Sequence, residues 1–427
     1  MIMDRYDLLL YGKKWDKNVI DTMFEIAGGR FASREDMKAS VNHCIGHILE
    51  ISEKMGFKGN LWQAYIAYLI AFDENAFSIS CERRGYVPGG INRAAMLDFE
   101  VLRGLFDVNL RKFDSENSTC LTILLDFENN NETEKYFNKR IRDRITELAS
   151  SLAASDSTEK FFDAVCSFYK EIGVGCLGMF KAFRIGQEGS EPLPVISTEH
   201  IKLSHIIGYE SQKKKLVDNT EAFLAGKSAN NALLFGDSGT GKSSSIKAIL
   251  NEYYDRGLRM IEIYKHQFKQ LSSVINRIKD RNYKFIIFMD DLSFEEFETE
   301  YKYLKAVIEG GLEKKPDNVL IYATSNRRHL VREKFSDREE ADDDKHSNDT
   351  VQEKISLASR FGVSIYYGSP DKKQFNEIVK QIALRNKIDI DEDALLSEAN
   401  KWELSHGGLS GRTAQQFINY LGSNYEV

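Results

Sequence analysis

The sequence predicts an α/β fold in its second half, a mostly parallel sheet covered by helices, with a mostly helical domain before it. From Val195 onward, short apolar runs alternate with helix-like segments, the pattern of parallel strands joined by helical crossovers. Between residues 20 and 185, apolar residues recur instead at helical spacing. The chain has 427 residues, so we expect two or three domains.

Composition and charge disfavour several classes of protein. Hydrophobic residues make up 42% of the chain, enough for packed cores, and the net charge of −7 gives no overall basic field that would favour nucleic acid or acidic lipid. The five cysteines are scattered without C-x-x-C spacing, which indicates a reducing compartment. The N-terminus lacks a signal-peptide pattern, and the longest apolar run, residues 64–72, is too short to span a membrane. We therefore expect a cytoplasmic protein without a membrane partner.

Residues 1–186 are predicted to form the mostly helical N-terminal domain. Ser33 and Asp36 resemble a capping box at the start of a helix, and Gly56 is a suitable stop for that helix. Residues 61–72 are apolar almost all round, as expected for a helix inside a core. The domain contains no recognisable catalytic motif. Its position suggests the hypothesis that it recruits a protein client.

One cluster in this domain has two interpretations. His43, Cys44 and His47 lie within one helical turn, and His and Cys at this spacing share a face that could bind a metal. No second group of ligands accompanies them. We interpret them as ordinary helix residues beside a core and keep the metal site as the alternative.

A change in composition marks the domain boundary. The stretch from Gly186 to Pro194 contains two of the five prolines and two glycines, so residues 187–198 are predicted to be a linker.

The most specific motif of the chain follows a short apolar strand and opens a helix. Gly236-Asp237-Ser238-Gly239-Thr240-Gly241-Lys242-Ser243 fits G-x-x-x-x-G-K-[ST], the phosphate-binding loop of nucleoside triphosphatases. The glycines allow the backbone to curve around phosphates, and the helix N-terminus attracts their negative charge. Lys242 is predicted to reach the β- and γ-phosphates and Ser243 to bind Mg²⁺. Residues 236–244, including Ser244, are therefore the predicted binding residues for ATP.

A pair of acids ends a later strand. The apolar run from Lys284 to Met289 is followed by Asp290 and Asp291, a Walker B pattern. Asp290 is predicted to hold Mg²⁺, and Asp291 to act as the general base that activates water. A complete strand and helix separate this pair from the phosphate loop. This inserted strand favours hydrolysis and disfavours a small-molecule kinase.

The strand from Asn318 to Asn326 adds a more specific resemblance. With its Ala-Thr-Ser-Asn tail, the second half resembles an AAA+ ATPase, a class with a five-stranded parallel core sheet and a small helical lid. The resemblance implies that Asn326 is the sensor 1 residue, which orients the lytic water. It also implies that Arg360, in Ser-Arg-Phe-Gly, is an arginine finger that reaches a neighbouring subunit. Arg412 matches the sensor 2 arginine of the lid.

The same resemblance places Ile207 and Gly208 near the adenine. It implies an AAA+ nucleotide-binding domain at residues 199–370 and a helical lid at residues 371–427. Several stretches, among them Gly208-Tyr209-Glu210 and Asp290-Asp291-Leu292-Ser293-Phe294, are similar to an uncharacterised family of predicted bacterial ATPases, domain of unknown function 815. That family implies ATP binding and little more.

The chain departs from the common AAA+ pattern in two places. Most members have Asp-Glu where this chain has Asp290-Asp291, and the side chain of Asp291, one methylene shorter, is a departure that disfavours water activation. Glu295 and Glu296 are alternative acids nearby. Residues 337–349 contain seven acids and are interpreted as a disordered, solvated loop, with a role in gating assembly as the alternative.

Two functions are compatible with these motifs. The first is Mg²⁺-dependent ATP hydrolysis by a homo-oligomer, joined through Arg360, that remodels or loads a partner. The second is a switch that binds ATP in order to assemble and hydrolyses little. A helicase-loader-like role on nucleic acid is a variant that the acidic net charge disfavours.

Overall fold

The computed structural model describes residues 4–31, 33–129, 138–186, 189–294, 300–309, 316–326 and 357–424. The chain divides into two compact units, Met1–Phe180 and Lys181–Val427. In the part of the chain described, no helix is long and apolar enough to cross a membrane.

The first unit is built from helices whose ends are set by local chemistry. The Asp16 side chain accepts hydrogen bonds from the first turn of one helix, and Ser33 does the same for the next. Gly56 then ends that second helix in the left-handed conformation, with φ of 72°. The helices are α1 (Lys17–Gly28), α2 (Arg34–Met55), α3 (Leu61–Phe72), α4 (Ala76–Arg84), α5 (Gly90–Phe106), α6 (Leu110–Asn117), α7 (Lys139–Ala153), α8 (Thr158–Glu171) and α9 (Gly175–Met179).

Its core forms around α3, which is buried on nearly every side. Polar groups inside the core are satisfied by hydrogen bonds: the Trp62 indole donates to the Leu105 carbonyl at 2.9 Å. Asp98 is fully buried and accepts backbone N–H bonds from residues 9–11. Of the three residues considered for a metal, Cys44 is buried in this core and His43 is exposed. Among the described residues, no group of three or more His, Cys, Asp or Glu is placed to hold a metal ion.

The second unit is organised by a seven-stranded mixed sheet, with the strand order β2-β1-β4-β5-β6-β3-β7. Every neighbouring pair is parallel except β1 and β2. The strands are β1 (Ala182–Ile185), β2 (Pro192–Pro194), β3 (Ala232–Gly236), β4 (Leu258–Glu262), β5 (Lys284–Met289), β6 (Val319–Ser325) and β7 (Val363–Tyr367).

The predicted count of five strands is therefore wrong by two strands at one edge. The segment expected to end the helical domain and begin the linker forms β1 and β2, because β1 pairs with the backbone groups of β4 that would otherwise form an open edge. Pro192 and Pro194 lie in the outermost strand, where the missing N–H of proline costs no ladder bond. The prolines and glycines of this segment were interpreted as a linker. The same residue types are also compatible with a hairpin at the edge of a sheet, which is what the structure shows.

Helices flank and follow the sheet. Those between the strands are α10 (Glu210–Leu224), α11 (Lys242–Tyr253), α12 (Leu271–Ile278) and α13 (Glu300–Glu309), and those after β7 are α14 (Lys372–Arg385), α15 (Glu392–Ser405) and α16 (Gly411–Asn424). The last three share a hydrophobic cluster that includes Phe375, Val379 and Phe417. In the sheet, β3 lies between β6 and β7, while the chain leaving β3 continues through α11 to β4. Ligands of open α/β sheets bind at such a change of direction, at the carboxyl ends of the strands.

Candidate nucleotide-binding site

The phosphate-loop motif forms a tight turn between β3 and α11. Gly236 has φ of 132°, and a Cβ there would lie 2.1 Å from the Tyr367 carbonyl oxygen, so only glycine fits. Gly239 and Gly241 also have positive φ, of 75° and 88°. The turn delivers the chain directly into α11 at Lys242. The first N–H groups of that helix lack intrahelical acceptors, which favours an anion at this point.

Lys242 is held by the loop that precedes it. Its side chain is buried, with 6% of the residue exposed. The ammonium group donates to the carbonyl oxygens of Gly236 at 2.9 Å and Asp237 at 2.6 Å, and to Asn326 Oδ1 at 3.0 Å. Burial lowers the pKa of Lys242, and the surrounding carboxylates, with Asp237 first, act against that change. The cation is therefore fixed beside the loop with its three donors in use.

The two acids that follow β5 have different partners. Asp290 Oδ1 accepts a hydrogen bond from the Ser243 hydroxyl at 2.5 Å. Asp291 has φ of 50°, unusual for a residue other than glycine, and its Oδ1 accepts from Asn326 Nδ2 at 2.8 Å. Asn326 therefore connects Lys242 to Asp291 through the two ends of one amide. The structure brings together all five of these predicted residues.

The donor set at Ser243 and Asp290 fits a magnesium ion. A hydroxyl and a carboxylate are hard oxygen ligands of the kind that Mg²⁺ prefers, and it is commonly bound by one or two carboxylates together with substrate phosphates. The contact between the two side chains shows that both reach the same point from different elements. These residues could hold the ion beside the phosphate loop.

A cavity of about 720 Å³ lies over the loop. The cavity is lined by the loop residues 238–244, the two acids and Asn326, together with Ile201, Ile206 and Ile207. The C-terminal helices complete the wall through Ile378, Ile382, Arg385, Gly411, Arg412, Gln415 and Gln416. The lining thus combines polar and charged side chains with apolar ones, the mixture that a nucleotide requires.

Arg412 ties α16 to the loop. Its guanidinium donates to the Ser238 hydroxyl at 3.3 Å, and its backbone N–H donates to the Gly239 carbonyl at 3.3 Å. A Cβ at Gly411 would lie 3.2 Å from the same carbonyl oxygen, so the start of α16 lies close against the loop. The predicted lid arginine is therefore at the phosphate end of the cavity.

Four predicted residues do not line the cavity in the described part of the chain: Gly208, Gly236, Asp237 and Arg360. Gly208 lies in the turn before α10, with φ of 76°. The Asp237 carboxylate is directed to Ser369, whose N–H and hydroxyl donate to it at 2.7 and 2.9 Å. Arg360 lies in the turn before β7, partly buried. The role predicted for Arg360 at the site of a neighbouring subunit stays a prediction.

The structure also shows cavity residues to which the sequence analysis assigned no role: Thr324, His205 and Arg385. Tyr209, from the Gly208-Tyr209-Glu210 stretch, lines the cavity as well. Thr324 lies two positions before Asn326, and alternation along a strand offered a signal for it. Burial, with Arg385 and Lys202 nearby, lowers the pKa of His205, which favours the neutral ring at neutral pH.

Some predictions fall outside the described residues. Glu295 and Glu296, the alternative acids, belong to this group, as does the acidic segment 337–349.

Comparison with known proteins identifies the family. Residues 179–425 match the family described as "Protein of unknown function (DUF815)". The chain belongs to this family, and the resemblance to this family that its motifs predicted is confirmed.

Other matches cover smaller parts. The replication factor C large subunit of Staphylothermus marinus is 34% identical over 74 residues, which is 17% of this chain and 17% of that protein. The RuvB Holliday junction branch migration motor of Thermotoga maritima is 17% identical, with a TM-score of 0.35, over 51% of this chain and 63% of the solved one. A solved mutant of the same motor is 18% identical, with a TM-score of 0.37, over 52% and 65%. The chain thus spans less than two thirds of the length of these proteins.

Proposed function

We propose that this member of the DUF815 family binds ATP and Mg²⁺ in the cavity above the phosphate loop and hydrolyses ATP as an oligomer, in order to remodel or load a partner. The observation that supports this proposal is the chain of contacts from Lys242 through Asn326 to Asp291, next to the Ser243–Asp290 pair. A loop that only bound phosphate would not need an acid and an amide aligned beside its lysine. Hydrolysis needs both, to accept a proton and to orient water.

The phosphate end would work mainly through charge. Lys242 would exchange its carbonyl partners for phosphate oxygens, and Arg412 would contact the phosphates from the C-terminal helices. Mg²⁺, held by Ser243 and Asp290, would neutralise charge on the phosphates. The isoleucines that line the cavity, with Ile207 among them, would cover the adenine.

Water activation would fall to Asp291 and Asn326. The Asp291 carboxylate would accept the proton of the attacking water, while the Asn326 amide holds the carboxylate in a single orientation. Arg360 of a neighbouring subunit would stabilise the charge of the transferring group. The helical first unit would select the client.

A second candidate is an ATP-dependent assembly switch with little hydrolysis. One observation on Asp291 favours it: its side chain is one methylene shorter than the glutamate that most AAA+ members have at this position. In this case ATP would bind and promote assembly, and turnover would remain slow without an activating partner.

Substitution of the loop lysine tests the site. We expect Lys242→Ala to weaken binding of a fluorescent ATP analogue about 100-fold, because charged hydrogen bonds worth roughly 3 kcal/mol are lost. Lys247→Ala is the matched control, since Lys247 lies on the same helix and pairs with Glu199 at 3.1 Å, away from the cavity. The control should bind like the wild type. Wild-type affinity in Lys242→Ala would overturn the proposed site.

A further inference from the structure

Thr324 has a hydroxyl group that contacts both Asp290 and Asp291. It lies on β6, is 2% exposed and contributes to the cavity wall. Its Oγ1 lies 2.6 Å from Asp290 Oδ1 and 2.9 Å from the backbone nitrogen of Asp291. A carboxylate can only accept and a backbone N–H can only donate, so the roles are fixed. The hydroxyl donates to Asp290 and accepts from the N–H of Asp291.

The same oxygen of Asp290 has two hydroxyl donors, on different elements. Ser243 reaches it from α11 at 2.5 Å and Thr324 reaches it from β6 at 2.6 Å. Ser243 is a proposed metal ligand, and a hydroxyl that binds a cation does so through an oxygen lone pair. Thr324 lies on β6 and is not a proposed metal ligand, so its hydrogen bond to Asp290 can remain when Ser243 binds the ion. The orientation of this carboxylate therefore has a support that does not depend on Ser243.

The backbone of Asp291 depends on the same threonine. Its φ of 50° is in the left-handed region, where a side chain is strained. Two bonds to Thr324 hold this turn: the N–H of Asp291 donates to the hydroxyl, and the N–H of Leu292 donates to the Thr324 carbonyl at 2.7 Å. With the turn fixed, the Asp291 carboxylate reaches Asn326.

We infer that Thr324 is a positioning residue that sets the Asp290 carboxylate for Mg²⁺ and the Asp291 carboxylate for water through one hydroxyl group. The inference rests on the proposed function of this site. Thr324 supports the two acids in different ways. Its hydroxyl donates to the carboxylate of Asp290, and it accepts from the backbone N–H of Asp291. A residue that served only to fill the core would need the volume of threonine and not its hydroxyl.

The test therefore compares Thr324→Val, which keeps the shape and removes the hydroxyl, with Thr324→Ser, which keeps the hydroxyl. We expect valine to raise the Mg²⁺ concentration for half-maximal ATP hydrolysis about tenfold, as loss of a supporting partner does at other metal sites. It should also lower kcat, and serine should restore both quantities to near the wild-type values. Binding of a fluorescent ATP analogue in EDTA should be the same for all three proteins.

A second readout needs neither metal nor nucleotide. Hydrogen exchange at the Asp291 amide should be faster in Thr324→Val than in the wild type, and serine should restore its protection. If valine unfolds the unit, Thr324→Ala removes the hydroxyl without adding a methyl group. Wild-type Mg²⁺ dependence and amide protection in a folded valine or alanine variant would overturn the inference. Absence of ATP binding or hydrolysis by the wild type would instead overturn the proposed function.

Discussion

Asn326 is the residue through which the phosphate loop and the acid pair are joined. Its Oδ1 accepts from the Lys242 ammonium and its Nδ2 donates to Asp291. The lysine has no acceptor role and the carboxylate has no donor role, so the amide can be assigned in one orientation only. The amide satisfies both neighbours at once, through its oxygen and its nitrogen. Truncation of Asn326 to alanine therefore removes both contacts.

We expect Asn326→Ala to lower kcat for ATP hydrolysis about 100-fold with little change in KM, because loss of one positioned donor costs about 2.7–4 kcal/mol in comparable sites. Steady-state kinetics at saturating Mg²⁺ measures both values. Asn326→Asp tests the charge, since it places a second carboxylate against Asp291 and should be at least as slow. Wild-type kcat in the alanine variant would contradict a role for the amide in turnover.

The sequence predicted part of this site because some residues are fixed by a local motif. Lys242 and Ser243 follow from the spacing of the phosphate loop, and Asp290 from its place after an apolar strand. Alternation along β6 places Thr324 on the same face as Asn326, but its role depends on the pairing of β5 with β6, which brings distant segments together. Arg385 presents the same difficulty, because it approaches the cavity from α14.

At the level of elements, Asp237 links the phosphate loop to the segment between β7 and α14. Its backbone N–H donates to the Tyr367 carbonyl at 3.0 Å, while its carboxylate accepts the two bonds from Ser369. Tyr209, the residue before α10, holds the same segment: its hydroxyl donates to the Gly368 carbonyl at 2.7 Å. Since the C-terminal helices begin just beyond this segment, the loop that would bind phosphate also holds their point of attachment.

We expect Asp237→Ala to speed hydrogen exchange of the Ser369 amide about tenfold, because the hydrogen bonds lost are worth about 1 kcal/mol each and the site is exposed. ATP should protect residues 368–371 in the wild type and less so in the variant. Asp237→Asn retains an acceptor and should resemble the wild type, which separates the contact from the charge. Unchanged exchange in the alanine variant would show that the contact carries no stability.

The elements themselves were predictable to different extents. A helix with its own cap, such as α2, begins and ends where Ser33 and Gly56 place it, because both signals are local. The edge hairpin β1–β2 was not predicted because its own sequence has little strand propensity. It is stabilised by the backbone hydrogen bonds between β1 and β4. Short edge strands with proline have almost no propensity signal, and only the partner strand decides their structure.

At the scale of the whole molecule, Arg360 is the residue whose proposed role involves a second copy of the chain. It does not line the cavity of its own chain among the described residues, whereas Arg412 contacts the loop directly. If Arg360 stabilises the transition state, it does so in a second copy. Activity should then depend on assembly, and specific ATPase activity of the wild type should rise with protein concentration.

Arg360→Ala should bind ATP normally and lose turnover by about 10³-fold or more, the contribution that such arginines make in other ATPases and GTPases. Arg256→Ala, which removes an exposed arginine paired with Glu221 at 3.2 Å, is the control and should retain activity.

A mixture of two inactive variants gives a sharper test. Arg360→Ala has an intact nucleotide site, and Lys242→Ala has an intact Arg360. Two inactive variants that recover ATPase activity when mixed would place Arg360 in the neighbour's site. Full activity of Arg360→Ala alone would exclude that role, and a mixture that stays inactive would contradict its action between subunits.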